Sequence, residues 1–498
     1  MKIINNIISS LIKQRLKSIE LSINSSIDCQ QKILMNNIKF SRDTMFGEKY
    51  KFQKIFNYYD FNSRLPIFNY DDLSRYINLS ITKQDILWPG RPKWFAKSSG
   101  TSNNKSKYIP VTTESLKNCH FKAGKDMLSL YLKNNSKTKI LNSKSLMIGG
   151  STNFEDLKYS YAGDLSAIII KNLPFWVQQK RLPSMKTAIM EDWEEKVKKI
   201  SNEVVNSDIS SISGVPSWTI KIINEVLKRN KIEKINDLWP NLELYMHGGT
   251  CFKNYKKTFN DFLSKKINYM EIYNASEGFF ALQNDLNKTD LLLLTNHGIF
   301  YEFAPITNGI ADKNNIVDLK SVELNKNYSL ILTTNGGLWR YEIGDTVYFT
   351  SLNPFKIVIS GRTKCFINAF GEELSVENSD NAINFACIKT NSSVNEYVAS
   401  PLFYNDKTGC HEWIIEFENH PRDLIEFSNL IDLKLKSINS DYESKRFKDI
   451  LLKKPIIRSA PKNFFFKILK EQNKLGGQNK IKRLHNERNF IDFLLKKL

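Results

Sequence analysis

Along residues 1–90 the apolar positions recur every three or four residues, the period of a helix that buries one face. Ile3, Ile4, Ile7, Ile8, Leu11 and Ile12 open the pattern, Asn5, Asn6, Ser9 and Ser10 interrupt it, and Leu16 and Ile19 continue it. Those interruptions predict an amphipathic helix and not the unbroken apolar run of a leader. The helical texture ends near Trp88-Pro89-Gly90. Tyr108-Ile109-Pro110-Val111 then predicts a short strand, Thr113-Glu114-Ser115-Leu116 a helix start, and Leu146-Met147-Ile148-Gly149-Gly150 a buried strand entering a glycine turn. Residues 185–236 read as mostly helical, broken at Ser213-Gly214-Val215-Pro216. Leu242–Met246 and Asn268–Tyr273 predict strands, the first leading into His247-Gly248-Gly249, the second into Asn274-Ala275-Ser276-Glu277-Gly278. Short apolar runs follow at turn-separated spacing: Leu291–Leu294, Gly298–Phe303, Tyr328–Thr333, Trp339–Tyr341 and Thr346–Phe349. Beyond Ile359-Ser360-Gly361-Arg362 the texture changes, and residues 375–498 read as a smaller α+β unit ending in a basic helix around Asn486–Lys497. Alternating helices and strands followed by clustered strands predict an α/β chain: a large N-terminal domain with a β-barrel-like subdomain, and a small C-terminal one.

Composition narrows the class. The chain has 498 residues, 41% hydrophobic and 25% charged, as in globular proteins with ample core. A formal charge of +20 raises nucleic acid or an anionic membrane as partners. The lysines are scattered among Asn and Ile without a compact basic block, so a solvated surface is expected and a nucleic-acid footprint is the alternative. The six cysteines are far apart, in no metal-binding or C-x-x-C spacing, which predicts free thiols in a reducing compartment. No run approaches the roughly 18 apolar residues that span a bilayer, so a cytoplasmic protein is expected.

The candidate chemistry lies where predicted strands end. Ser98, Ser99, Gly100, Thr101 and Ser102 gather hydroxyls around one glycine, and Lys105 and Lys107 add charge. A glycine turn aims successive N–H groups inward as an anion nest, so the segment suits polyphosphate; a solvated polar turn is the other reading. The Walker spacing is absent. In Tyr273–Gly278, Tyr273 could stack on a base and Glu277 could hold magnesium, which takes one or two carboxylates and completes its shell with phosphate oxygens and water. A strand-ending turn with a solvated Glu competes. Gly344-Asp345 offers a carboxylate to both hydroxyls of a ribose, or is a hairpin turn. Gly361-Arg362-Thr363-Lys364 combines a mobile glycine with cations where the composition changes, which fits a hinge over 361–366 between domains 1–364 and 365–498, or a surface loop. Lys474–Leu484 is a glycine loop rich in cations that could bring a lysine to a phosphoryl or carboxylate centre, or stay on the surface. No nucleophile elbow, dinucleotide fingerprint or zincin motif is present, and His247 is the one histidine beside a candidate site.

Taken in order, these segments resemble the Gretchen Hagen three family, the acyl acid amido synthetases of the adenylate-forming superfamily. Ser98–Lys107 is similar to the family's first motif, Tyr273–Gly278 to its second and Arg340–Asp345 to its third. Gly149-Gly150-Ser151, Gly163–Ser166, Gly214–Trp218, His247-Gly248-Gly249, Leu291–Pro305, Gly361–Leu374 and Gly476–Leu484 extend the likeness over nearly the whole chain, whose texture resembles the bacterial branch. Asn103-Asn104 stands where plant members often carry a glycine, which argues against a plant-hormone substrate. The resemblance implies the adenylate-forming fold and an ATP- and Mg²⁺-dependent ligase that adenylates a carboxylic acid and passes the acyl group to an amine, usually of an amino acid. It implies that Ser98, Ser99, Gly100, Thr101, Ser102 and Lys107 hold the β- and γ-phosphates. Glu277 would bind Mg²⁺, Gly248, Gly249 and Tyr273 would line the adenine slot, and Asp345 would hold the ribose. Arg362 would touch ribose or phosphate. Lys480 would be the catalytic lysine, with Lys482 its competitor. An acyl-CoA synthetase or stand-alone adenylation enzyme is the nearest alternative.

Overall fold

The N-terminal helical period is realised as helices at Lys2–Asn24, Ser26–Ser41, Tyr58–Arg64 and Tyr70–Thr82. The computed structural model describes residues 2–98, 107–149, 154–190, 192–249, 252, 255–307, 310–362, 366–367, 369–370, 372, 374–404, 408–446, 451–472 and 481–498. The helix at Tyr70 starts on a capping box, with Asn69 and Asp72 each accepting from the other's backbone N–H. These helices bury their apolar stripes against strands far along the chain: Leu34, Phe46, Leu73 and Ile77 share one core with Trp339 and Tyr341. Gln30 is 2% exposed, and its amide donates to the carbonyls of Thr295 and Ile299 and accepts from the Tyr301 N–H. A buried amide so used fixes the helix in register as well as depth.

Two sheets carry the large N-terminal unit. In the smaller, Trp94–Ser98 pairs antiparallel with Lys107–Val111 and parallel with Tyr161–Gly163. In the larger, Lys144–Met147, Ile209–Ser213, Leu244–Gly248 and Asn268–Ala275 run parallel to one another. The hydrogen-bonded path then turns antiparallel through Gly278–Leu282, Leu291–Leu293, Phe355–Arg362, Tyr341–Leu352, Asn327–Thr334 and Ile299–Thr307. This is the stretch expected to be barrel-like; among the described residues it is an open antiparallel run continuous with the parallel strands.

Three local expectations change. Ile209–Ser213 lies within the stretch read as helical, yet it is a strand with its first four residues buried. Its serines hid it: Ser211 Oγ donates to Ser145 Oγ of the neighbouring strand, so the hydroxyl is satisfied inside. Trp339–Tyr341 is no separate strand, because Arg340 takes a positive φ of 41° and the strand begins only at Tyr341. Gly344-Asp345 is no hairpin turn either, since the strand runs on through it to Leu352.

The smaller C-terminal unit has a three-stranded sheet, Ser393–Phe403, Gly409–Asn419 and Ile456–Ala460, packed under helices Val376–Thr390 and Leu424–Ile438. It touches the N-terminal unit through Phe466, whose ring lies edge-on to Trp218 at 6.2 Å and beneath the Lys221 ammonium. Lys470 pairs with Glu194 at 2.6 Å, and Lys257 donates to Asn391 at 2.8 Å. Of the expected hinge, 361, 362 and 366 are described, and 363–365 lie outside the described residues. Among the described residues no helix is long and apolar enough to cross a membrane.

Candidate active site

The strand Asn268–Ala275 is the seam of the large sheet, parallel to Leu244–Gly248 on one side and antiparallel to Gly278–Leu282 on the other. Ligand sites of open α/β sheets form outside the carboxyl ends of such strands. At that end Gly248 stands opposite Ile272, and a Cβ on Gly248 would lie 2.5 Å from the Ile272 carbonyl oxygen. Only glycine lets the two backbones approach so closely. Gly249 then turns the chain with φ of 82°.

His247, just before the glycines, is part of the core. Its ring stacks on Phe252 at 4.1 Å, and burial pulls its pKa down to about 3, so it is neutral at physiological pH. Proton transfer near pH 7 is outside its range.

Tyr273 and Asp345, from different predicted segments, meet. The Tyr273 hydroxyl donates to Asp345 Oδ2 at 2.7 Å, and both residues are 6% exposed. The Tyr273 ring packs edge-on against Phe280 at 4.8 Å. Asp345 reaches this place through a bulge: Ser329 pairs with Thr346 but Ile331 pairs with Glu342, so extra residues on the Asp345 strand bow out of the ladder. Gly344, with φ of 86°, supplies the left-handed step the bulge needs. Arg362 is the register partner of Asp345 on the next strand. Glu277 sits in the two-residue turn between Ala275 and Gly278, half-buried at the tip of the hairpin that leaves Tyr273.

The hydroxyl-rich segment joins two paired strands. Ser98 and Lys107 are register partners at the ends of an antiparallel pair, so residues 99–106 are its connection. Ser99, Gly100, Thr101, Ser102 and Lys105 lie outside the described residues. The Lys107 ammonium lies over the Tyr70 ring at 5.2 Å, and Tyr70 Oη accepts from the Tyr108 N–H at 2.8 Å. Two residues earlier, Phe68 bridges to Tyr341, the start of the Asp345 strand. A short bonded path thus ties the hydroxyl-rich pair of strands to the strand that carries the carboxylate.

Arg340, in the same motif as Asp345, points into the core. Its guanidinium makes two hydrogen bonds to Glu302, at 2.9 and 3.0 Å, with side-chain exposures of 3% and 1%. It also donates to Asn62 Oδ1 at 2.6 Å and to the Leu65 carbonyl, while Tyr58 donates to Glu302 at 3.0 Å. Sequence reading placed no such role on it, because a buried guanidinium and a solvated one look alike in one sequence. A second missed group is Lys196, 1% exposed, which donates to the Gly149 carbonyl at 3.1 Å; burial lowers its pKa to about 8 against the opposing charge of Asp164. Lys480 lies outside the described residues, and Lys482 is half-buried with its carbonyl oxygen 2.8 Å from the His485 ring nitrogen.

Among the described residues no group of three or more His, Cys, Asp or Glu could cage a metal. Magnesium asks for less than such a cage: one or two carboxylates suffice when phosphate oxygens fill other positions. Glu277 offers one carboxylate at its turn.

A parallel sheet running into antiparallel strands, with a tyrosine–carboxylate pair at the seam and a smaller C-terminal unit beside it, defines a fold of the adenylate-forming class. The chain belongs to the GH3 family: the GH3 family N-terminal domain matches residues 15–267, the GH3 family central domain residues 292–362 and the GH3 family C-terminal domain residues 377–489. It is 25% identical over 415 residues to the 4-substituted benzoates-glutamate ligase GH3.12 of Arabidopsis thaliana, covering 68% of this chain and 71% of that one. With an indole-3-acetic acid-amido synthetase, GH3.2, of the same plant it shares 22% over 418 residues, 69% of this chain and 75% of that one. The AtGH3.15 acyl acid amido synthetase in complex with 2,4-DB has the same fold, with a TM-score of 0.81 at 14% identity over 97% of this chain and 96% of that one. A 2-hydroxyisobutyryl-CoA ligase in the postadenylation state gives a TM-score of 0.62 at 12% identity, covering 94% and 90%.

Proposed function

We propose that this protein is an ATP-dependent ligase that joins a carboxylic acid to an amine, an amino acid being the acceptor class its relatives' names suggest. One observation carries the reading: the Tyr273–Asp345 hydrogen bond stands at the seam of the sheet, one residue from the glycine contact of Gly248. That arrangement suits an adenosine, with the flat Gly248-Gly249 turn beside the base and the Asp345 carboxylate accepting from ribose hydroxyls. Tyr273 holds that carboxylate in place.

In the first step the acid's carboxylate oxygen attacks the α-phosphorus of ATP, forming the acyl adenylate and expelling pyrophosphate. Two anions approach, so the protein must place positive charge and N–H donors around them. Ser98 and Lys107, with the connection between them, serve the departing β- and γ-phosphates. Arg362 serves the ribose or the α-phosphate, and Lys480, with Lys482 as the competitor, the charge that builds on the α-phosphate. Mg²⁺ held by Glu277 would neutralise phosphate charge. In the second step the amine nitrogen attacks the acyl carbon, AMP leaves, and the nitrogen loses its proton to solvent. Rotation between units 1–364 and 365–498 about 361–366 would exchange the groups facing the adenylate between steps.

Acid-dependent exchange of pyrophosphate into ATP, run with pooled carboxylic acids, tests the first step. The expected result is exchange with at least one acid, and its loss by two orders of magnitude or more in Lys480→Ala. No exchange across the panel defeats the reading; near-normal exchange in Lys480→Ala moves the role to Lys482. The likeness in fold to a CoA ligase favours CoA as the second acceptor to try. The mass of the product formed when amino acids or CoA meet the preformed adenylate decides between them.

A further inference from the structure

Beside the helix Ser26–Ser41 the N-terminal unit holds a cavity of about 180 Å³, none of whose lining residues belongs to the candidate active site. Its floor is apolar and buried, formed by Leu34 of that helix, Phe300 of the strand Ile299–Thr307, and Leu319. Its rim is charged. Asp318 and Lys320 both line it, two residues apart, and Asp318 Oδ1 accepts from Ser321 Oγ at 3.1 Å, which fixes the carboxylate there. The exposed ring of Phe56 stands at the same rim. At the roughly 30 Å³ a water takes in the liquid, the space equals about six waters, enough for an aliphatic side chain and too little for a nucleotide.

The rim charges restrict what fills the cavity. A lone carboxylate meets Lys320 and is repelled by Asp318, and a lone amine meets the reverse. A zwitterion answers both, with its carboxylate toward Lys320 and its ammonium toward Asp318. An apolar side chain on the same molecule covers the floor and lies against Phe56, the mostly apolar pocket with few polar anchors that small ligands favour.

One wall of the cavity is Tyr58, which is bonded to a buried polar chain. Its hydroxyl donates to Glu302 at 3.0 Å, and its ring packs on Phe300 at 5.7 Å. Glu302 pairs in register with Asp318 on one side and accepts both hydrogen bonds of the Arg340 guanidinium. Arg340, with φ of 41°, directly precedes the strand that carries Asp345. A ligand in the cavity therefore touches one end of a bonded chain whose other end sets the start of the Asp345 strand.

We propose that this cavity binds a free α-amino acid with a small apolar side chain, and that its occupation shifts affinity for the nucleotide through Tyr58, Glu302 and Arg340. Binding at the cavity stands without the ligase reading; the coupling rests on it, and by linkage acts equally in both directions.

Calorimetric titration of the full chain with leucine, methionine and phenylalanine tests the site, beside isocaproate and isoamylamine, which are leucine without its ammonium and without its carboxylate. The expected result is one-to-one binding of at least one amino acid with Kd of about 1 mM or below. Binding should be at least tenfold weaker for the two analogues, and at least tenfold weaker in Lys320→Ala and in Met35→Trp, which puts an indole into the cavity from its wall. Thermal unfolding of the free variants checks that they fold, and Lys320→Ala changes only an exposed side chain. No binding of any of the three overturns the proposal. So does binding that both variants leave unchanged, because the amino acid then sits elsewhere, as an acceptor would. ATP titrated with and without saturating amino acid should show at least a threefold change in Kd, lost in Met35→Trp; an unchanged Kd overturns the coupling. A wild type that binds the amino acid in the cavity but never ATP removes the ligase reading and the coupling together, and leaves the site standing.

Discussion

Arg340 and Asp345 belong to one short motif and do different work. Arg340 neutralises Glu302 in the core and holds the turn at Asn62–Leu65, whereas Asp345 faces Tyr273 at the sheet's seam. Removing one member of a buried ion pair leaves the other charged and undersolvated, so Arg340→Ala should cost about 3–5 kcal/mol. The urea midpoint should fall accordingly, and a shift under about 1 kcal/mol would contradict the burial seen here. Asp345→Asn keeps an oxygen for Tyr273 and loses the charge. Its expected effect is a rise of about tenfold in KM for ATP, equivalent to about 1.4 kcal/mol, read from exchange kinetics. An unchanged KM would separate Asp345 from the nucleotide.

At the scale of elements, the Gly248 contact between neighbouring strands makes a sharp demand. Gly248→Ala forces a methyl to 2.5 Å from the Ile272 carbonyl oxygen, and both are backbone-fixed. The strands must part, at about 1–3 kcal/mol, and both Tm and ATP binding should fall; an alanine variant with wild-type ATP affinity would remove the turn from the adenine slot. Such demands were partly legible in the sequence. Long periodic helices such as Tyr70–Thr82 and all-apolar strands such as Leu291–Leu293 announce themselves, because one buried face leaves one period. Ile209–Ser213 did not, because a buried position of it is a serine, Ser211, satisfied by Ser145 of the neighbouring strand instead of being apolar. The segments proposed to face the ligand stood out as glycine and hydroxyl clusters at strand ends. The bulge at Gly344 did not, since Gly-Asp reads as a turn until the register of the opposing strand is known. Arg483 was hidden for the opposite reason: it sits among lysines, and only its buried bonds to Asp380 and Glu396, some hundred residues away, distinguish it.

Across the whole molecule, buried histidines set an acid limit. Burial lowers the pKa of His120 to about 4 and of His247 to about 3, against 6.5 in the unfolded chain. Below pH 6.5 the unfolded state takes up protons that the folded state refuses, so the stability these residues contribute is whole above 6.5 and is lost as pH falls toward 4. At pH 5 the loss is about 2 kcal/mol for each. Urea midpoints at pH 7.5 and 5.0 should show it, and His120→Met should narrow the gap between the two; an unaltered gap would place the acid sensitivity elsewhere. The N-terminal helices add a constraint of another kind. Gln30 finds its partners at Thr295, Ile299 and Tyr301, and Arg340 holds Asn62. During synthesis at about 5–20 residues per second, the apolar stripes of these helices wait on the order of 15–50 s outside the ribosome before the strands that cover them exist. For that interval the helices' apolar stripes stand without the strands that cover them in the finished fold, so the order of synthesis runs against the order of burial.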